Sequence, residues 1–150
     1  MLRRLELADM DQAARVDRTS FDHALPWLAG LHTPDEDRWF YRERVFQTCK
    51  LWGAFEAGVM TGVIAFRDDW VEQLYVLPGA QRRGIGGALL DIAMGDTDRL
   101  QLWTFQRNAG ARGFYEARGF KPVEYSDGGR NEENEPDVLY LWIRASRAVY

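Results

Sequence analysis

An α/β domain is predicted: a single mixed, mostly antiparallel sheet flanked by helices. Three observations carry it. Strand-like and helix-like stretches follow one another in the order β-α-α-β-β-β-α-β-α-β-β. Three of the strands run in succession with short turn signals between them, which makes an antiparallel meander. No repeat or linker interrupts the 150 residues, a length that supports one core and not comfortably two, so residues 1–150 are read as a single domain.

The elements follow in order. "LRRLEL" is a short strand with Leu2 and Leu5 as its apolar anchors. "ADMDQAARVDRTSFD" is a helix with Met10, Ala13, Ala14 and Val16 on or near one face. "HALPWLAGLHTP" holds two prolines and a glycine and reads as a loop or broken helix. Thr33-Pro34-Asp35-Glu36 starts the second helix: a cap, a proline in the first turn, then acids at the positive end of the dipole. That helix runs to about Gln47. "LWGAFE" and "VMTGVIAFR" form a hairpin across Ala57-Gly58. "WVEQLYVL" follows Asp68-Asp69 and alternates Trp70, Glu72, Leu74 and Val76 on one face. Ile85, Ala88, Leu89 and Ile92 give residues 85–94 a helical period. "RLQLWTF" is a strand, and "NAGARGFYEARGF" a short helix closed by Gly119. "FKPVEY" and "DVLYLWI" are the last strands, joined by the polar "SDGGRNEENEP".

Composition removes several classes. A net charge of -4 leaves no basic footprint for nucleic acid. Cys49 is the sole cysteine, so neither an internal disulfide nor a thiolate metal cluster can form. His23 and His32 stand nine apart with nothing to make them a metal site. No apolar run approaches the ~20 residues of a membrane span, and "MLRRLELADMDQ" lacks the apolar core of a signal peptide. A cytoplasmic chain without membrane contact is expected.

The informative stretch is "LYVLPGAQRRGIGGALL", residues 74–90, where a strand gives way to a helix through glycines and arginines. A Walker loop fails because Ile85 and Gly86 stand where Lys and Ser/Thr are needed. A dinucleotide fingerprint fails because Leu89 takes the third glycine's place and the preceding strands form a meander. What remains is Gln81-Arg82-Arg83-Gly84-Ile85-Gly86, with Gly87 behind it. Free N–H groups at a helix start bind anions, glycines admit a pyrophosphate to the backbone, and the arginines add charge-assisted bonds. The competing reading is a glycine-rich turn with no ligand.

A second motif, "NAGARGFYEARGF", lies downstream. With the first it resembles the GCN5-related N-acetyltransferase (GNAT) family, whose N-x-x-A-x-x-F-Y-E-x-x-G-F pattern is met by Asn108, Ala111, Phe114, Tyr115, Glu116, Gly119 and Phe120. The element order matches that family over nearly the whole chain. The resemblance implies the acyl-CoA N-acyltransferase fold, acetyl-CoA as donor and no metal. It implies that the backbone of Leu74, Tyr75 and Val76 pairs with the pantetheine arm where two strands splay. A backbone N–H near Val76 would polarise the thioester carbonyl. Residues 82–87 (Arg82, Arg83, Gly84, Ile85, Gly86, Gly87), opened by Gln81, would hold the pyrophosphate, and Asn108 would bond the cofactor.

Direct attack by an amine poses two proton problems. An alkylammonium of pKa about 10.4 is neutral about once in a few thousand molecules at pH 7, so a base is useful. The departing thiolate then needs a proton. A Tyr at about 10 gives one to a thiolate at about 8.5 for about 2 kcal/mol. Tyr115 occupies the position of the family's acid, against the plainer reading of a helix Tyr packed on the sheet. Glu72, on the strand leading to the cofactor, is the candidate base, against that of a strand-edge Glu in solvent. Family members that acetylate ribosomal-protein N-termini carry a Glu where Trp103 stands here, a departure that weakens that acceptor class.

The acceptor is expected opposite coenzyme A, against "SFDHALPWLAGLH" and "SDGGRNEENEPD". Phe21, His23, Trp27 and His32 offer an aromatic wall there, and Asp127, Glu132, Glu133 and Glu135 offer acids, a pairing suited to a cationic amine. The plainer reading makes these core aromatics and a solvated loop. Trp103, Tyr140 and Trp142 read as core or tunnel wall. The acceptor is a small-molecule or peptide amine. A non-catalytic acetyl-CoA-binding sensor or interaction module is the alternative, and transfer to oxygen or of a longer acyl chain is a third reading. Apolar terminal strands make a homodimer possible.

Overall fold

The computed structural model describes residues 1–145. Its strands are β1 (Leu2–Arg4), β2 (Lys50–Glu56), β3 (Val59–Arg67), β4 (Trp70–Val76), β5 (Arg99–Phe105), β6 (Lys121–Ser126) and β7 (Asp137–Ile143). They form one sheet in the order β1-β2-β3-β4-β5-β7-β6, antiparallel except where β4 meets β5. The helices are α1 (Met10–Ala24), α2 (Pro34–Phe40), α3 (Phe46–Thr48), α4 (Ile85–Met94) and α5 (Ala109–Ala117). Helices α1 to α3 bury Met10, Ala13, Ala14, Val16 and Tyr41 against one face. Helices α4 and α5 bury Leu89, Leu90 and Tyr115 against the other.

Local chemistry explains the boundaries. Thr33 caps α2 in a reciprocal box with Glu36. Ala57 and Gly58 both take positive φ, the geometry of a two-residue hairpin turn. Asn108 caps α5 by accepting the Ala111 N–H at 3.2 Å, and Gly119 leaves the helix at φ +89°.

Three expectations need correcting. β1 stops at Arg4, and Leu2 is an exposed residue while Leu5 alone anchors. The second helix does not run uniformly: between α2 and α3 the chain makes a π turn, Tyr41–Val45. The alternation of β4 also breaks. A bulge against Ala65 and Phe66 leaves Glu72 without an opposite residue, so Val71, not Trp70, joins Leu74 in the α4–α5 core.

The decisive feature is the centre of the sheet. β4 and β5 share a single ladder pair, Trp70 with Gln101. Beyond it they diverge, and one edge of β4 is left without a strand.

Candidate active site

The splay opens into a cleft of about 1620 Å³ that passes between β4 and β5 and reaches both faces of the sheet. Leu74, Tyr75 and Val76 form its β4 wall. The Val76 carbonyl accepts from Ser20 Oγ and from Gln81 Nε2, both at 3.0 Å. Gln81 therefore shapes the turn from inside.

At one mouth stands the start of α4. No side chain caps it, so the first-turn N–H groups remain free for an anion. Each glycine has its own reason. Gly84 takes φ +80° with open space where a Cβ would be. At Gly86 a Cβ would sit 3.3 Å from the Phe114 ring. At Gly87 it would sit 2.3 Å from Arg118 Nη2. Arg82, at φ +65°, lines the cleft. Arg83 does not: its guanidinium turns away to Glu56 and the Gly79 carbonyl. The second guanidinium at this mouth is that of Arg118, which lies 4.2 Å over Phe114 and lines the cleft beside Gly87. Sequence reasoning passed over Arg118; its i,i+4 spacing from Phe114 was the available signal. Free amides, bare backbone and two guanidiniums fit a pyrophosphate. Asn108 also lines this mouth. Its carbonyl is used by the cap, and its NH₂ has no partner among the described residues.

Tyr115 stands inside the cleft, walled by Phe114, Phe120 and Tyr140 at centroid distances of 5.2, 5.5 and 6.2 Å. Its hydroxyl makes no hydrogen bond among the described residues, yet it is not sealed from the cleft. Burial raises its pKa, so the phenol stays protonated. Glu72 lines the cleft too, with its carboxylate held at 3.0 Å by Arg67 Nε.

The opposite mouth collects Phe21, His23, Phe105, Tyr125, Asp127 and Glu133. Four other expected acceptor residues are occupied differently. Trp27 Nε1 donates to Glu135 at 2.9 Å, and Arg107 stacks 3.8 Å over Trp27. His32 Nε2 lies 2.8 Å from Glu132, whose carboxylate raises the imidazole pKa. These two links tie the α1–α2 loop to the β6–β7 loop, so they form a clamp and not a wall. Trp103 is 44% exposed and lines the cleft, while Tyr140 is core.

No group of three His, Cys, Asp or Glu side chains among the described residues could hold a metal. No helix among them is long and apolar enough to cross a membrane.

Comparison with known proteins agrees with this geometry. The acetyltransferase (GNAT) domain family matches residues 47–122. The peptidyl-lysine N-acetyltransferase YiaC of Escherichia coli (strain K12) is 31% identical over 102 residues, which are 67% of this chain and 68% of that one. The solution structure of apo-form YjaB from Escherichia coli superposes with a TM-score of 0.79 at 20% identity, over 97% of this chain and 98% of that one. The PaiA N-acetyltransferase of Thermoplasma acidophilum, solved with coenzyme A, gives 0.68 at 20% identity, over 95% and 98%. The chain belongs to the GNAT family of acetyl-CoA-dependent N-acetyltransferases.

Proposed function

We propose that this N-acetyltransferase acts on the side-chain amine of a lysine presented in a peptide. One observation carries the reading: a cleft through the sheet has a glycine-lined cationic mouth on one side and an aromatic, acidic mouth on the other, with the Tyr115 hydroxyl open between them. Acetyl-CoA supplies an acetyl group already activated as a thioester. Arg82, Arg118, Asn108 and the free amides of α4 hold its polar end, and the edge of β4 holds its arm. Tyr115 keeps a proton ready for the departing sulfur. Glu72, on the β4 wall and paired with Arg67 at 3.0 Å, is one carboxylate placed to take the ammonium's proton. Phe21, Tyr125 and Glu133 suit an alkylammonium approaching from outside. The likeness to YiaC supports a peptidyl lysine. A cytoplasmic setting belongs to the same reading.

The test is thiol release from acetyl-CoA with lysine peptides, peptides offering only an N-terminal amine, and free polyamines. Release confined to the lysine peptides is expected. Release with polyamines alone would replace the acceptor and keep the reaction.

A homodimer completes the proposal. Trp103, Leu139, Leu141 and Ile143 share one face of β5 and β7, and neither core cluster includes them. Trp103, Ile143 and Val123 of β6 are exposed. A monomer mass by sedimentation at micromolar concentration would remove the dimer from the proposal.

A further inference from the structure

Asp17 is a half-buried carboxylate where α1 packs on the sheet. It sits on α1 beside Val16 and one turn before Ser20, on a helix that packs Met10, Ala13, Ala14 and Val16 against the sheet. A charge there is unfavourable unless something partners it. The described residues supply one hydrogen bond, from the Tyr41 hydroxyl to Oδ2 at 2.6 Å. Tyr41 is buried and opens the π turn Tyr41–Val45, an irregularity that re-aims its side chain. The Arg18 charge favours the ionised Asp17 only from a distance, because its guanidinium is bonded to Asp37 and Asp22. Oδ1 has no partner among the described residues and is not sealed off. Burial pushes the carboxyl up to about 7, which makes it a base near neutrality.

On the sheet side lies Tyr75. It packs against the same core cluster as α1 and lines the cleft. The Ser20–Val76 bond holds α1 against this point of β4. Burial and then the Asp17 charge raise the pKa of Tyr75, so its hydroxyl stays protonated. That hydroxyl has no hydrogen bond among the described residues. The other charged or titratable groups around the pair are Arg18 and Asp22 on α1, Asp37 on α2 and Tyr41 on the π turn. Tyr115 and Glu133 act on Tyr75 from farther along the cleft.

We propose that Asp17 receives the proton that the acceptor ammonium must lose, by way of the Tyr75 hydroxyl. An N–H bond of the ammonium breaks as Tyr75 takes that proton. Tyr75 passes its own through a water molecule to Asp17 Oδ1. A neutral amine and a neutral carboxyl result, and Asp17 later returns the proton to solvent. Asp17 acts through Tyr75 and is a positioning residue in that sense. The inference rests on the amine-acceptor reading above. It competes with Glu72 for this one proton.

The experiment is the pH dependence of kcat/KM between pH 5.5 and 9.5 for the wild type, Asp17→Asn, Tyr75→Phe and Glu72→Gln. Acetyl-CoA affinity and melting temperature serve as checks on folding. The wild type is expected to gain activity as pH rises through about 7. Asp17→Asn should lose that limb, fall ~10- to 100-fold at pH 7, and approach the wild type as pH rises and the amine deprotonates unaided. Tyr75→Phe, which leaves the carboxyl in place, should do the same. An unchanged limb in Asp17→Asn would overturn the proposal. So would an equal loss at every pH, which is what a packing role gives. A limb lost only in Glu72→Gln would assign the proton to Glu72. A wild type silent on every amine would instead overturn the function on which the inference stands.

Discussion

The two mouths of the cleft are built on different principles. The mouth proposed for the cofactor is made largely of backbone: free amides at the start of α4, glycines that leave room, and the unpaired edge of β4. The mouth proposed for the acceptor is made of side chains from α1, β5, β6 and the β6–β7 loop, held together by Trp27–Glu135 and His32–Glu132. Backbone chemistry is the same whatever the side chains, so the first mouth suits one constant ligand. The second can change its guest by changing a few residues without disturbing the first.

That division should be easiest to break at the point the mouths share. Tyr115→Phe is expected to lower kcat by ~10²- to 10⁴-fold while acetyl-CoA binding by calorimetry stays unchanged. A matching loss of affinity would make Tyr115 part of the cofactor mouth alone.

The next largest effect is on stability, and it lies on the acceptor side. The folded pKa of Asp17, about 7, stands above the ~3.9 of an unfolded Asp. Its contribution to stability is fully present below pH 4 and is lost as pH rises through about 7. Asp17→Asn removes that loss, so the variant should be more stable than the wild type at pH 8, by about 2–4 kcal/mol in urea unfolding. A less stable variant would show that the carboxylate holds the fold together.

Arg118→Ala should weaken acetyl-CoA binding about tenfold, or about 1.4 kcal/mol, and leave the acceptor KM alone. Trp27→Phe removes the donor to Glu135. It should raise the acceptor KM by about threefold to tenfold, with the acetyl-CoA KM unmoved. If both constants shift together in either variant, the mouths are not independent.

The smallest effect concerns His32. Its pKa is raised by Glu132, so the link is strongest below that pKa and weakens as pH rises through it. Imidazole NMR should show a midpoint above that of free histidine, returning toward it in Glu132→Gln. The pair is largely exposed, so only a slight rise in acceptor KM is expected over the same range.

The contrast also explains what was legible in the sequence. The cofactor mouth comes from two short runs, residues 74–90 and 108–120, in which spacing fixes geometry. The order of strands and helices was equally legible, because period and turn chemistry are local properties. The clamp was not. Trp27 and Glu135 are 108 residues apart, and an aromatic near an acid in the folded chain leaves no spacing to read. Arg83 and Arg118 show the same limit. Adjacent arginines looked equivalent, but Glu56 draws one away, and the cation that stays comes from another helix. The bulge at Glu72 and the π turn at Tyr41 each insert one residue's worth of irregularity, which a strict period cannot reveal. Asp17 was visible as a letter, but its burial was not.

The single Trp70–Gln101 pair leaves the β5-facing edge of β4 without a partner strand beyond it. Those amides of residues 72–76 that do not pair with β3 should exchange with deuterated solvent quickly in the free protein. They should slow when donor is added, together with a stabilisation of about 2.7 kcal/mol at a hundredfold excess over Kd. On the proposed reading, the donor's arm would stand in for the strand that β4 lacks, and each turnover would remove and replace it.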